Sequence, residues 1–136
     1  MRMDKLTNPL QNVLADAQSL AVGRDQQFIE PIHMLKALLD QSGGSAVPLL
    51  QKAGANGSQL AGDVNDALSL VPTVKGGRGD VHLSQDSSRL LNRADKLAQT
   101  RQDAYLSSEL VLLAMADASS PVAKLLEKSG ARRAPV

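Results

Sequence analysis

The chain is written twice, and that duplication restricts it to folds assembled from two related halves. Leu6 to Asp40 reappears as Leu83 to Asp117, with Leu14/Leu91, Ala17/Ala94, Leu20/Leu97, Ala21/Ala98, Arg24/Arg101, Leu35/Leu112, Ala37/Ala114 and Asp40/Asp117 identical. The single Phe and the single Tyr, Phe28 and Tyr105, fall on equivalent positions. After a one-residue deletion, Leu49-Leu50-Gln51-Lys52-Ala53-Gly54-Ala55 is matched by Leu125-Leu126-Glu127-Lys128-Ser129-Gly130-Ala131. Positions the copies share report what the fold requires, whereas positions at which they disagree are free to carry function.

The repeated unit reads as helices. Leu10, Val13, Leu14, Ala17, Leu20 and Ala21 follow one helical stripe, with Thr7 as N-cap, Pro9 in the first turn and an end near Gly23. Its counterpart runs through Leu90, Leu91, Ala94, Leu97 and Ala98, capped by Ser84 or Asp86. Pro31 opens a second helix over Ile32, Leu35, Leu38 and Leu39, and Ser107 or Ser108 with Glu109 opens its partner through Met115. Short third helices, from Ser45 and from Pro121 to Lys128, each precede a glycine suited to a left-handed turn, Gly54 or Gly130. A fourth spans about Ser58 to Leu70. No period-two alternation of any length appears, so the expected fold class is all-α, in one domain over 1–136. Repeat one covers about 6–70, a glycine-containing linker about 72–80, and repeat two about 83–131, with a polar tail from Arg132.

Composition removes several functions. Cysteine is absent, so there is no disulfide framework, thiol nucleophile or thiolate metal site. Fifteen Lys+Arg against 14 Asp+Glu leave a formal charge of +1 with the signs interspersed, and two aromatics supply no stacking platform for bases. Neither nucleic acid nor a membrane surface is an expected partner. The start, Met1-Arg2-Met3-Asp4-Lys5, leads into no apolar stretch of a signal peptide, and the longest apolar run, Leu110 to Ala116, is too short to span a bilayer. The expected location is cytoplasmic. His33 and His82 lack a second ligand at metal spacing, and the serines sit on no strand-to-helix elbow. His33 reads as a partly buried histidine bonded to a loop. An enzyme using it with a nearby serine is the weakest reading, and no catalytic, metal or cofactor residue is expected.

Where the first copy has His33 and Lys36, the second has Leu110 and Leu113, three apart on one helical face. If the fold tolerates polar side chains there, the leucines are surplus apolar surface of the kind that marks a partner site. The alternative is that the second copy's helix is simply more buried, since Leu110 to Ala116 is apolar all round. Asp103 and Glu109 could rim such a patch with charge, aided by Thr7, although solvated capping is the commoner role for these residue types.

The string Leu6-Thr7-Asn8…Ala15-Asp16-Ala17-Gln18-Ser19-Leu20-Ala21, followed by Phe28-Ile29-Glu30-Pro31-Ile32-His33-Met34-Leu35, resembles the amino-terminal domain of the Clp ATPase family. Ser84-Gln85-Asp86, Asp95-Lys96-Leu97-Ala98-Gln99 and Ser107-Ser108-Glu109-Leu110 resemble its ClpB branch, the ATP-dependent disaggregase chaperones. The resemblance covers essentially the whole chain. It implies an all-α fold of two pseudo-repeated four-helix motifs forming one globular domain, non-catalytic and monomeric in isolation, tethered to ATPase rings of a hexamer; ATP would belong to those rings, and this chain would hold no cofactor. It also implies engagement of unfolded or aggregated polypeptides in collaboration with a DnaK-type chaperone system. By similarity, Thr7, Asp103 and Glu109 occupy polar positions tied to that engagement, and Leu97 and Leu110 match two apolar positions of a substrate groove. Position 93, commonly apolar in that groove, is Arg93 here, whose aliphatic stem can cover apolar surface while its charge favours clients with acidic groups. Leu113 joins the expected site from the comparison of copies alone. The rival function is a docking platform for a folded adaptor.

Overall fold

Three hydroxyls start three of the helices. In the computed structural model, which describes residues 3–74, 81–117 and 120–131, Thr7 Oγ1 accepts from the backbone N–H of Leu10 (3.3 Å), Ser84 Oγ from that of Ser87 (3.0 Å) and Ser107 Oγ from that of Leu110 (3.4 Å). Each bond satisfies a donor that the first helical turn leaves without a partner, at a typical gain of about 1 kcal/mol. A 3-10 turn (Met3–Lys5) leads into α1 (Asn8–Gly23), β1 (Phe28–Ile29), α2 (Pro31–Asp40), α3 (Ala46–Lys52) and α4 (Gly57–Ser69). The second copy gives β2 (His82–Leu83), α5 (Gln85–Thr100), α6 (Ser108–Met115) and α7 (Ala123–Lys128). The all-α expectation therefore holds. The first copy supplies four helices and the second three among the described residues. The glycine-rich part of the expected linker and the expected polar tail lie outside them.

The first helix of each copy ends the same way. Asp25 (φ 57°) and Gln102 (φ 59°) occupy the left-handed position just past α1 and α5, and the next residues, Gln26 and Asp103, donate back to Ala21 and Ala98 (both 2.9 Å). The left-handed residue that closes α1 is thus Asp25, two positions beyond Gly23. Gly54 and Gly130, as expected, close α3 and α7 at φ 94° and 99°. They also meet: a Cβ on Gly130 would stand 2.8 Å from the Gly54 carbonyl oxygen, and one on Gly54 would stand 3.2 Å from that of Gly130.

The copies exchange their opening segments. β1 and β2 pair in parallel, Phe28 with His82 and Ile29 with Leu83, while Leu6 bridges Leu106 in parallel. Leu6 is equivalent to Leu83 and Ile29 to Leu106, so the segment before each copy's first helix pairs with the segment before the other copy's second helix. Ser84 N–H to Ile29 O (3.1 Å) and Thr7 N–H to Leu106 O (3.0 Å) are the same bond in the two settings. Pairs this short carry no alternation in sequence, which is why they were absent from the expectation.

The core is Leu, Ala and Val. α1 buries Leu10, Val13, Ala17 and Ala21, and α5 buries Leu90, Leu91, Ala94 and Ala98. Against these stripes pack α2 and α6, which are enclosed nearly all round: α2 buries Pro31 to Leu35, Ala37 and Leu38, and α6 buries Ser108, Leu110 to Leu112, Ala114 and Met115. α4 crosses to α2 and α7, and α3 touches α6, so one core runs through both copies.

Candidate functional site

The enclosure of α2 and α6 corrects one expectation. Leu110 is only 5% exposed, and its counterpart His33 is fully buried. A polar residue in the first copy therefore did not mark a surface position. His33 is accommodated inside by its partners: the Glu30 backbone N–H donates to Nδ1 (2.8 Å), so Nε2 carries the proton and bonds Gln26 Oε1. The Gln26 amide in turn reaches the Val71 carbonyl (3.4 Å). Burial, and behind it the nearby Arg24 guanidinium, hold the imidazole pKa below its ordinary value of 6.5. The loop-bonded histidine expected from sequence is thus found, though it is wholly rather than partly buried. Leu110 lies in the core, and it is no part of an open surface.

Leu97 and Leu113 are half-buried. α5 and α6 are joined by a short loop, and an ion pair marks how they align: Arg93 Nη1 lies 3.1 Å from Asp117 Oδ2. From that pair, one turn forward along α5 reaches Leu97 and one turn back along α6 reaches Leu113. The two leucines therefore form a shallow apolar strip between the helices, bracketed at one end by Arg93–Asp117. Arg101 and Asp103 stand at the other end, in a loose pair at 4.0 Å. Tyr105, on the connecting loop, is 58% exposed.

Thr7 and Glu109 come together elsewhere. They line a cleft of about 460 Å³ between the copies, with Pro9, Asn12, the 41–45 loop, Ser107 and Ser108. Glu109 accepts a hydrogen bond from the Ser45 hydroxyl. That bond, with the Ser107 hydroxyl and its own backbone N–H, lowers the carboxyl pKa against the opposing effect of burial. The buried Ser108 Oγ finds no partner among the described residues. Asp103 does not line this cleft. The expected residues thus fall into a polar cleft (Thr7, Glu109), an apolar strip with a basic end (Arg93, Leu97, Leu113, with Asp103 beyond) and the core (Leu110).

Sequence reasoning missed Asp117, Ser45 and Gln26, the partners of Arg93, Glu109 and His33. Asp117 was legible: it is identical to Asp40, which pairs with Lys36 one turn away (3.1 Å), and position 113 offers no cation. It also missed a hollow of about 150 Å³ among α2, α3 and α4, lined by Leu39, Val47, Leu50 and Leu60 among others. Among the described residues no group of three His, Asp or Glu could hold a metal ion, and no helix is long and apolar enough to cross a membrane.

The comparisons with known proteins agree with this geometry. The family model described as the Clp repeat N-terminal domain matches residues 5–129. The chaperone protein ClpB of Pseudomonas putida is 50% identical over 130 residues, which cover 96% of this chain and 15% of that protein. ClpB of Vibrio cholerae is 46% identical over the same shares. The chain thus spans about 15% of the length of the curated relatives it matches. Among solved structures, the Hsp104 N-terminal domain from Candida albicans superposes with a TM-score of 0.84 at 19% identity, covering 95% of this chain and 84% of that one. A ClpV N-domain solved as a complex with a VipB peptide gives 0.74 at 26% identity, covering 96% and 81%. With a duplicated helical core, exchanged opening segments and matches over nearly all its length, the chain belongs to the Clp repeat N-terminal domain family.

Proposed function

We propose that this domain is the non-catalytic, polypeptide-engaging module of a ClpB-type disaggregase, and that it captures unfolded or aggregated clients on the strip between α5 and α6. The observation that carries the reading is the half-buried pair Leu97 and Leu113, an apolar seat set between charged ends. Two leucines that keep only a minor part of their surface open supply at most about 1 kcal/mol each when covered, which suits weak capture that tolerates many sequences. The ClpB relatives and the peptide-bound ClpV N-domain lend support. In the full-length protein, ATP would be hydrolysed by hexameric rings outside this chain, in the cytoplasm and together with a DnaK-type system. This domain would hydrolyse nothing.

Leu97→Gln combined with Leu113→Gln tests the reading, because neither side chain is fully buried and the fold should survive. Binding of a permanently unfolded model polypeptide, followed by fluorescence anisotropy, is expected to weaken about tenfold while helical circular dichroism stays unchanged. Unchanged affinity would remove the strip from the mechanism. A second reading, docking of a folded adaptor, is favoured by the polar cleft that holds Thr7 and Glu109. It predicts that Glu109→Gln weakens a native adaptor and leaves the unfolded polypeptide bound.

A further inference from the structure

The strip is edged by charge in a pattern that the first copy lacks. Along α5, Arg93, Leu97 and Arg101 follow one another at four-residue steps, so each cation sits one turn, about 6 Å, from the central leucine. The equivalent positions of α1 are Asp16, Leu20 and Arg24. Two of the three are identical between copies, and the third has changed sign. The outcome is a leucine between two cations in the second copy and between an anion and a cation in the first.

Both guanidiniums are accessible, with side chains 48% exposed for Arg93 and 53% for Arg101. Each also has an acidic neighbour: Asp117, with its side chain 25% exposed, meets Arg93 Nη1 at 3.1 Å, and Asp103 lies 4.0 Å from Arg101 Nε. A guanidinium has five donors, and both are about half exposed, so an incoming carboxylate can share them with these partners. Asp95, the other anion in this stretch of α5, projects to the opposite side, where it accepts from Gln99 (2.9 Å).

An extended polypeptide advances about 6.6 Å over two residues and puts those two side chains on one face. That repeat matches the turn-by-turn spacing of Arg93, Leu97 and Arg101. Resting on the polypeptide-capture reading above, we propose that α5 selects extended client segments in which an apolar residue is flanked at both second neighbours by Asp or Glu. The apolar side chain covers Leu97 and Leu113, and the two carboxylates reach Arg93 and Arg101. Because this pattern is the same read in either direction, it fixes spacing without fixing chain polarity.

Three labelled peptides of about twelve residues separate the possibilities by anisotropy at low salt. One carries Asp-x-Leu-x-Asp, one has the same composition with the acids moved to the positions adjacent to Leu, and one carries Lys in place of Asp. The first is expected to bind about fivefold more tightly than the second and to exceed the third by more, with the advantage fading as salt rises. Arg93→Asp, which gives α5 the charge order of α1, is expected to abolish the preference while leaving circular dichroism unchanged. Equal binding of the spaced and shifted peptides would overturn the inference and leave the apolar strip standing, as would a preference that survives Arg93→Asp. If none of the three binds, the inference and the polypeptide-capture reading fail together.

Discussion

The two copies solve the same interior position in opposite ways. In the first turn of α2, His33 is buried with a full set of partners, Glu30 on one nitrogen and Gln26 on the other. At the equivalent point of α6, Leu110 needs none, and the counterpart of Gln26 is Asp103, which points to solvent. Both positions differ between the copies: a polar residue inside demands a polar partner inside, and where the first is leucine the second has no such duty. The charges show a similar exchange. Asp40 and Asp117 are shared, but the cation lies along the same helix in the first copy, at Lys36, and across the helix pair in the second, at Arg93. With a cation supplied to Asp117 from α5, position 113 does not need to provide one.

The most demanding test of this comparison is to transplant one half of the pair. Leu110→His places an imidazole in the core without a glutamine to receive it, and is expected to cost about 3 kcal/mol of unfolding free energy in urea titrations. Adding Asp103→Gln should recover part of that loss. A single variant as stable as the parent would show that partners do not decide what the position accepts.

Acid should separate the copies by a smaller amount. Because the folded pKa of His33 lies below 6.5, the unfolded chain takes up this proton first as pH falls. The contribution of His33 is therefore complete above pH 6.5 and is lost as pH drops from there toward the folded value. Urea midpoints at about pH 7.5 and about pH 5.5 should differ in the parent and converge in His33→Leu, whose second-copy equivalent already has leucine. A pH dependence unaltered by that substitution would place its origin elsewhere.

The smallest effect concerns the ends of the first helices. Gln102 and Asp25 both hold positive φ, which Asp tolerates better than Gln. Gln102→Gly should therefore stabilise by about 1 kcal/mol and Asp25→Gly by less, as read from thermal midpoints. Equal gains would mean that the two ends carry the same strain.

Much of this architecture was legible because it is local. Thr7, Ser84 and Ser107 were named as caps, or as one of two candidates, from their place before an apolar stripe, and each accepts the bond its position calls for. Gly54 and Gly130 were found from their place after a short helix. What escaped was decided by partners distant in sequence. Leu110 could be read as surface or as core because the loop partner expected for His33 had no name: it is Gln26, seven residues before it, and only the folded chain brings the two together. Ser45 lies 64 positions from Glu109, and no periodicity links them. The grouping of Thr7 with Glu109, and their separation from Leu97, follows from how the halves are laid together.

Each half depends on the other to finish its own opening. The residues that lead into α1 hydrogen-bond to the threshold of α6, and those that lead into α5 hydrogen-bond to the threshold of α2, so the molecule is clasped like two interlocked hands. A break in the backbone between them would still leave each piece holding the other's first strand. Duplication has therefore produced two halves whose openings are tied crosswise, so that loosening either opening breaks a bond held by the other half.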